Sequence, residues 1–423
     1  MASSDFSKEE KVAFDQILEG FEDALSMSKM FKKYGTDQQS MERQDFTIWR
    51  PQPYIAQSYD GSDATGNFKD STQLSVPASI DQNKHSPWTM SRTELLDALQ
   101  NDRLGKAARQ KLASDIEISC SNLAGLTSGL VIKRTVAATG YDDIAIADAR
   151  MTEQGIMMDD RKMCLNTRDY NAMAGNLAAR QTMNDKVNKA YQKGFVGEVS
   201  EFDTYKQSYS YRLAAAAGGA ALTMDTRAAA GNYLVPQATS VAATGQRSNV
   251  DNRYQTVTIS STANVAAGDA FTVDDVFRVH NITKVATAEL ETFRVVSVTN
   301  ATTMVITPPM VTAQGGSDAE VVYQNCEVTA EAAAAPIVFL NTVAANVNTF
   351  WQGDCFEILP GRIALESDAG VAVIRGATEQ GIELVMTKST DINTHTMKYR
   401  MDVRYGVVNL QPKMSGIMLF NQT

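Results

Sequence analysis

The histidines and cysteines are the residues of this chain with the greatest capacity for chemistry, and they are few. The 423 residues include three histidines and four cysteines, namely His85, His280, His395, Cys120, Cys164, Cys326 and Cys355. No histidine has a Cys, His or Glu at metal-ligand spacing, and no CxxC pair occurs, so the pattern does not favour a metal site. We interpret the cysteines as reduced and mostly buried thiols.

Other signatures of catalysis are also missing from the sequence. The pairs Asp142-Asp143 and Asp159-Asp160 resemble solvated helix ends more than acid/base dyads. Neither a phosphate-binding GxxxxGK[ST] loop, nor a GxGxxG turn opening a helix, nor a GxSxG elbow is present. We therefore predict a protein that is not an enzyme, with no catalytic residue, metal ligand or cofactor.

The charge balance limits the possible partners. The formal net charge is −10 and the pI is near 5.0, whereas a protein that grips nucleic acid over its whole surface needs a basic face. A protein that surrounds DNA without condensing it remains possible. The sequence shows neither a signal segment nor an apolar run approaching ~18 residues, so we expect no membrane span.

The N-terminal pattern predicts an arm, residues 1–35, that is one amphipathic helix over 1–34. Ser7 and Glu10 form a capping-box pattern. Lys32 and Lys33 would then occupy its last turn. Its apolar stripe includes Phe14, Ile17, Leu18, Phe21 and Leu25. The sequence leaves open whether this helix packs on its own domain or docks on a neighbouring subunit.

Residues 36–90 have the composition of an extended, two-stranded loop with a tip near 60–67. About 50 residues without helix are unusual inside a compact domain. Such a loop cannot bury its own aromatic side chains, which are Trp49, Tyr54, Tyr59 and Phe68. We therefore expect another molecule to cover them, and expect deletion of residues 54–75 to leave monomers that do not associate.

The remaining chain divides into four segments. Residues 91–130 predict a long spine helix, bent near Gly105, whose stripe is Ala108, Leu112, Ile116, Cys120, Leu123 and Leu126. Residues 131–212 mix helices, at Asp142–Gln154 and Met183–Lys193, with a strand at Lys162–Leu165. Residues 213–335 are rich in short Val/Thr strands and predict an inserted antiparallel barrel or sandwich, of which the part from about residue 220 to residue 335 should fold alone. Residues 336–423 supply closing strands, including the alternating run Lys398–Val408.

Several stretches resemble coat proteins of the Lederbergvirus type of short-tailed, double-stranded DNA phage. The most specific runs from Asn249 through Asp251 and Arg253 to Thr258 and is similar to that family's inserted domain. Thr47–Pro51, Gly194–Gly197, Asn348–Trp351 and Arg404–Val407 resemble other capsid segments. The resemblance departs at about 213–249, where the family has a charged intercapsomer loop and this chain has few charges before Arg247.

The resemblance implies an α+β tailed-phage major capsid fold with N-arm, extended loop, spine helix and axial domain. It also implies an inserted immunoglobulin-like or telokin-like domain. The implied function is self-assembly through hexamers and pentamers, with scaffolding and portal proteins, into an icosahedral procapsid that expands as DNA is packaged. The DNA is enclosed without sequence-specific binding. The protein would assemble in the host cytoplasm and remain in the virion.

Candidate subunit-contact residues follow from these features, and two other function classes remain open. The contact candidates are Phe14, Phe21, Trp49, Tyr54, Tyr59, Phe68, Arg247, Asp251 and Arg253. An extracellular adhesin with a β-sandwich module is the main alternative. A hydrolase with scattered catalytic residues is the third.

Overall fold

The computed structural model is a mixed α+β protein. It describes residues 6, 8–35, 46–53, 56–68, 72–91, 98–179, 196–218, 221–225, 232–329, 333–363, 371–378, 381–391 and 393–423. The chain forms two compact units, each assembled from separate segments. The first comprises residues 1–48, 78–121 and 356–408, and the second comprises 49–77, 122–355 and 409–423.

The helices and strands of the described residues follow in chain order. The helices are α1 (Lys8–Ala24), α2 (Ala98–Thr127), α3 (Tyr141–Glu153), α4 (Thr167–Ala178) and α5 (Asp318–Tyr323). The strands up to residue 250 are β1 (Lys32–Lys33), β2 (Thr47–Pro51), β3 (Ser75–Ser79), β4 (Gln82–Met90), β5 (Leu130–Lys133), β6 (Arg161–Asn166), β7 (Glu198–Val199), β8 (Phe202–Gln207), β9 (Arg212–Leu213), β10 (Thr223–Met224), β11 (Thr239–Val241) and β12 (Arg247–Asn249). The later strands are β13 (Gln255–Thr258), β14 (Ala270–Val279), β15 (Ala286–Val298), β16 (Thr303–Thr307), β17 (Cys326–Val328), β18 (Ala335–Phe339), β19 (Ala345–Asn346), β20 (Asn348–Gln352), β21 (Phe356–Pro360), β22 (Ala372–Ala377), β23 (Glu383–Asp391), β24 (Thr396–Asn409) and β25 (Ser415–Leu419).

The first unit is built on a sheet in the order β1-β21-β24-β23-β22, with β4 also paired to β24. The predicted inward face of β24 is confirmed, because Tyr399, Met401, Val403 and Tyr405 are buried, whereas Asp402 of the predicted outward face is buried too and accepts from Arg400 Nε at 2.8 Å. Helix α1 packs on β22, where Gly376 leaves room for Phe14 and Leu18. A Cβ at Gly376 would lie 2.6 Å from Leu18 Cδ2, so a larger residue here would force the Leu18 side chain to shift.

The arm is a shorter helix than the sequence predicts. Lys32 and Lys33 do not form its last turn. They form strand β1, which pairs in parallel with Glu357 and Ile358 of β21. The preceding residue explains this, because Phe31 is buried and stacks on Phe356 with ring centroids 4.9 Å apart. Burial of this aromatic pair overrides the helical charge pattern.

A buried carboxylate fastens the arm to the first unit. The Glu117 side chain on α2 accepts hydrogen bonds from the backbone N–H groups of Ser26, Met27 and Ser28 and from both serine hydroxyls, at 2.7 to 3.1 Å. These donors follow the end of α1. The carboxylate therefore satisfies backbone groups that neither helix nor sheet pairs.

The extended segment 36–90 is only partly a loop. Strands β2 and β3 pair as the predicted two-stranded excursion. Strand β4, however, pairs with β24 along its full length, from Gln82↔Tyr405 to Met90↔Met397. Strand β4 is polar because it lies at the edge of the sheet and exposes one face to solvent. An edge position also tolerates a proline, here Pro87.

The second unit contains two larger sheets. One has the order β5-β25-β20-β6-β8-β7, and the other has the order β10-β18-β14-β15-β16-β13 with β17 also paired to β14. The second sheet surrounds its own apolar cluster, which includes Phe271, Phe293 and Ile306. It continues to Phe339, four residues beyond the predicted segment boundary at 335.

Buried polar contacts join the β10-to-β18 sheet to the C-terminal end of α2. Arg294 of β15 is fully buried and donates to the Gly125 carbonyl at 2.7 Å and the Gly268 carbonyl at 2.9 Å. Burial lowers the pKa of Arg294 to about 10. The Thr292 hydroxyl donates to the Gly129 carbonyl at 2.8 Å. A cation at helix carbonyls is favourable because of the helix dipole.

Most other predicted elements are confirmed. Helix α2 buries Ala108, Leu112, Ile116 and Cys120, while Leu123 and Leu126 are half-buried. Helix α3 and strand β6 lie within one residue of prediction. Asn166 caps α4 by accepting from the N–H groups of Arg168 and Asp169. The predicted helix Met183–Lys193, like Ser7 of the capping box, lies outside the described residues.

We expect Glu117→Ala to lower the free energy of unfolding by about 3 kcal/mol, because two buried backbone donors and one half-buried donor lose their acceptor. Urea unfolding of the full chain measures this. The control Glu19→Ala, at an exposed position of α1, should change it by no more than about 0.5 kcal/mol. An equal effect of the two substitutions would show that Glu117 does not hold the arm.

Candidate assembly surfaces

The tip of the excursion between β2 and β3 is exposed to solvent. Among residues 56–68, Tyr59 is 47% exposed and Phe68 is 86% exposed. The tip is ordered by its own polar contacts, since Asp63 accepts from the Thr65 N–H at 3.0 Å and its hydroxyl at 2.5 Å. These bonds hold the pKa of Asp63 below its usual range. Local bonding fixes the tip but does not cover its aromatic rings.

The base of this loop is anchored in the second unit. Leu74 is buried against Val311, Val322 and Tyr323. The Tyr323 hydroxyl donates to the Thr72 carbonyl at 2.9 Å, and the Gln52 N–H donates to the Leu74 carbonyl at 2.9 Å. A firm base beneath an exposed tip suits a surface that meets another molecule.

A second exposed element is the hairpin formed by β11 and β12. Every residue from 239 to 249 is exposed, including Val241 at 60%. The strands pair through Thr239↔Asn249 and Val241↔Arg247, and Arg247 is the only charged residue of the hairpin. An isolated two-stranded hairpin is marginally stable in water.

The hairpin has a firm base of its own. Asn252 accepts from the Gln237 N–H at 3.0 Å and donates to the Gln237 carbonyl at 2.8 Å. The Asn252 side chain also donates to the Val250 carbonyl at 3.0 Å. This single amide joins the two ends of the hairpin, so that the exposed strands leave the unit in a fixed direction.

The other predicted contact residues lie mostly within the chain's own packing. Phe14 and Phe21 are buried in the first unit, Trp49 is half-buried in β2, and Tyr54 lies outside the described residues. Arg253 is also buried. Its guanidinium pairs with Asp251 at 2.7 Å and donates to the Asn409 carbonyl at 2.7 Å. Asp251 and Arg253 thus join the hairpin region to the segment that begins at residue 409.

An exposed apolar patch was missed by the sequence reasoning. Met157, at 70% exposure, and Met158 lie in the loop after α3, and Ile282, at 62%, and Val285 lie in the turn between β14 and β15. The Asn281 N–H donates to the Gln154 carbonyl at 2.9 Å, which fastens loop and turn together. In the sequence these apolar residues are far apart and have polar neighbours, so no pattern indicates a patch. The fold brings them together.

The part of the chain that the structure describes contains no comparable cluster of reactive side chains. Among the described residues, no group of three or more His, Cys, Asp and Glu side chains is arranged to hold a metal ion. The four cysteines are buried, as predicted, and no disulfide joins them. Burial raises the pKa of Cys355 to about 12, although its hydrogen bonds with Ser415 and Gln411 act in the opposite direction. No described helix is long and apolar enough to cross a bilayer.

The sequence matches the family model described as P22 coat protein, gene protein 5, over residues 1–421. The chain belongs to this family. It is therefore a major capsid protein of a bacteriophage, a structural component of the virion, and the adhesin alternative is not supported.

Solved phage capsid structures are also similar to the chain. One titled "Mycobacterium phage Che8" has a TM-score of 0.46 and 8% identity, covering 94% of this chain and 92% of its own. The capsid of the cyanophage P-SCSP1u has a TM-score of 0.42 and 9% identity, covering 93% and 86%. The "CUS-3 coat protein I-domain" is 31% identical, with a TM-score of 0.22, covering 29% of this chain and 98% of its own.

The two arginines among the predicted contacts should behave differently. Arg253→Ala is expected to lower the free energy of unfolding by about 2–3 kcal/mol, because it leaves Asp251 and the Asn409 carbonyl without their donor. Arg247→Ala, in the exposed hairpin, should leave it within about 0.5 kcal/mol. Urea unfolding of both full-length variants makes the comparison, and equal losses would contradict the assignment of Arg253 to internal packing.

Proposed function

We propose that this protein is the shell subunit of a short-tailed phage of the Lederbergvirus type. Copies assemble as hexamers and pentamers into an icosahedral procapsid, together with scaffolding and portal proteins, in the host cytoplasm. The procapsid expands as double-stranded DNA is packaged. The observation that carries this proposal is the pair of firmly based but uncovered elements, loop 56–68 and hairpin 239–249.

The proposal gives each segment a place in a tailed-phage capsid fold. Residues 1–35 form the arm, 36–90 the extended loop, 91–130 the spine helix, and 131–212 with 336–423 the axial and peripheral parts. Residues 213–335 form an inserted β domain of immunoglobulin-like or telokin-like type. The support for an insertion is that the sheet spanning β10 to β18 surrounds its own apolar cluster.

The acidic composition fits a shell that encloses DNA. The net charge of −10 gives no general attraction for phosphate, because such binding depends on basic contacts. An interior that does not hold DNA tightly lets a packaging motor fill the shell. The particle thus encloses DNA without binding it sequence-specifically.

Tyr59 and Phe68 provide the apolar contacts between copies in this proposal. A fully covered aromatic side chain buries about 150–250 Å², and aromatic residues are enriched at interfaces. We expect the spine helix of a neighbouring copy to cover both side chains, since every subunit in a shell has neighbours of the same sequence.

Removal of loop 56–68 should give folded protein that does not form shells. A short Gly-Ser linker replaces the tip and leaves Leu74 in place, because the wider deletion of 54–75 would remove this buried side chain. A second variant keeps the loop length but replaces Tyr59 and Phe68 with serine. Circular dichroism reports folding, and sedimentation with electron microscopy reports shells. Normal shells from both variants would contradict the proposal.

The hairpin should contribute to the shell by contacts that salt does not screen. Deleting residues 240–248 is expected to lower the yield of shells equally in about 0.1 M and about 1 M NaCl, since the screening length falls from about 10 Å to about 3 Å between them. The matched variant Arg247→Ala should assemble normally. A loss at low salt alone, shared by Arg247→Ala, would instead show an ion-pair contact.

A further inference from the structure

Two adjacent methionines are exposed in a chain whose other described methionines are buried or half-buried. Met157 is 70% exposed and Met158 is 54% exposed. Among the residues that the structure describes, no other methionine is exposed. Met1, Met41 and Met183 lie outside the described residues. The pair therefore differs from the rest of the described methionines in the access that solvent has to its sulfur atoms.

The loop that carries the pair is held in place from within the unit. The buried Arg161 guanidinium donates to the Ile156 carbonyl at 2.8 Å and to the Met157 carbonyl at 3.1 Å. At the other end of the loop, the Gly353 N–H donates to the Asp160 carbonyl at 2.9 Å. The exposure of the two side chains is thus a property of an ordered loop, because its backbone is bonded at both ends while the thioethers face solvent.

The pair belongs to an apolar surface. Ile282 and Val285 of the turn between β14 and β15 continue the exposed patch. Met157 and Ile282 also line a groove of about 200 Å³, together with Pro308 and Pro309. An oxygen atom added to either sulfur would place a polar hydrogen-bond acceptor in this apolar surface.

Oxidation of a thioether depends on access to its sulfur. The sulfur needs no prior loss of a proton, unlike a cysteine thiol, so burial is the main protection. The sulfur lone pair attacks one oxygen of hydrogen peroxide and the O–O bond breaks. The released hydroxide then takes the proton of the new S–OH group and leaves as water. Sulfur is oxidised by two electrons and one peroxide is reduced, whereas a buried methionine reacts only after a local opening of the fold.

We propose that Met157 and Met158 form a site of reversible oxidation, which hydrogen peroxide converts to sulfoxides before the buried methionines react and which methionine sulfoxide reductases restore. Each sulfoxide is chiral, so two reductases are needed, one for each epimer. In the reverse step a dithiol is oxidised to a disulfide and the sulfoxide oxygen leaves as water. The site is a property of the single chain and does not depend on the proposed shell.

Limited oxidation of the full chain before assembly tests the proposal. Cleavage by trypsin after Arg150 and Arg161 gives one peptide that contains the pair together with Met151, which is 0% exposed. Tandem mass spectrometry locates each oxygen that dilute hydrogen peroxide adds. We expect the pair to react at least about tenfold faster than Met151. Both reductases, supplied with dithiothreitol, should then remove the added oxygens.

Unfolded protein is the first control, because it removes burial and keeps the sequence. In urea, the three methionines of this peptide should react at similar rates. Circular dichroism of the folded protein should not change while only the pair is oxidised, since neither side chain lies in the core. Equal rates in the folded protein, or a difference between the pair and Met151 that persists in urea, would overturn the proposal.

A pair of variants completes the test. Met157→Leu with Met158→Leu keeps the apolar volume and removes both sulfur atoms, so oxygen uptake by the peptide should fall to that of Met151 alone. Met397→Leu is the matched control, since the Met397 sulfur is half-buried and accepts from the Thr390 hydroxyl at 2.8 Å. It should leave uptake by the peptide unchanged. Unchanged uptake in the double variant, or sulfoxides that the reductases leave in place, would contradict the assignment.

Discussion

The constraint on which the rest of the structure depends is that an exposed, extended segment cannot bury its own apolar side chains. Loop 56–68 and hairpin 239–249 are both such segments. Water contact with Tyr59, Phe68 and Val241 costs free energy that only another surface can recover. In the shell that we propose, neighbouring copies would supply that surface.

Exposed elements of this kind present a defined contact surface only when their bases are held in place. Leu74 and Tyr323 hold the loop, and Asn252 holds the hairpin. Buried charges perform the same task on longer segments, since Glu117 fastens the arm and Arg253 fastens the segment from residue 409. Buried charged groups with several hydrogen bonds specify one arrangement, because moving either partner leaves a charge without compensation.

The sequence predicted helices and strands correctly where the spacing of apolar residues matches the pattern of burial. The stripe of α2 and the alternation of β24 could be predicted because each follows directly from the geometry of helix or strand. The arm was predicted too long, since Phe31 packs on Phe356, a residue more than 300 positions away. Strand β4 was missed because an edge strand with a polar face resembles a loop in composition.

The candidate surfaces were predicted less completely than the fold. Exposure of Tyr59 and Phe68 follows from their loop, but Arg253 next to Asp251 resembles a surface ion pair until Asn409 is placed beside it. The patch of Met157 and Ile282 depends on a contact between two loops far apart in sequence. Family membership established the class of protein, which single residues did not.

Hydrogen exchange compared between monomers and assembled shells tests the central claim most directly. Burial between copies predicts that amides in residues 56–68 and 239–249 exchange at least about tenfold more slowly in shells than in monomers. The same exchange rate in both states would show that these segments are not covered by other copies, and would contradict the account.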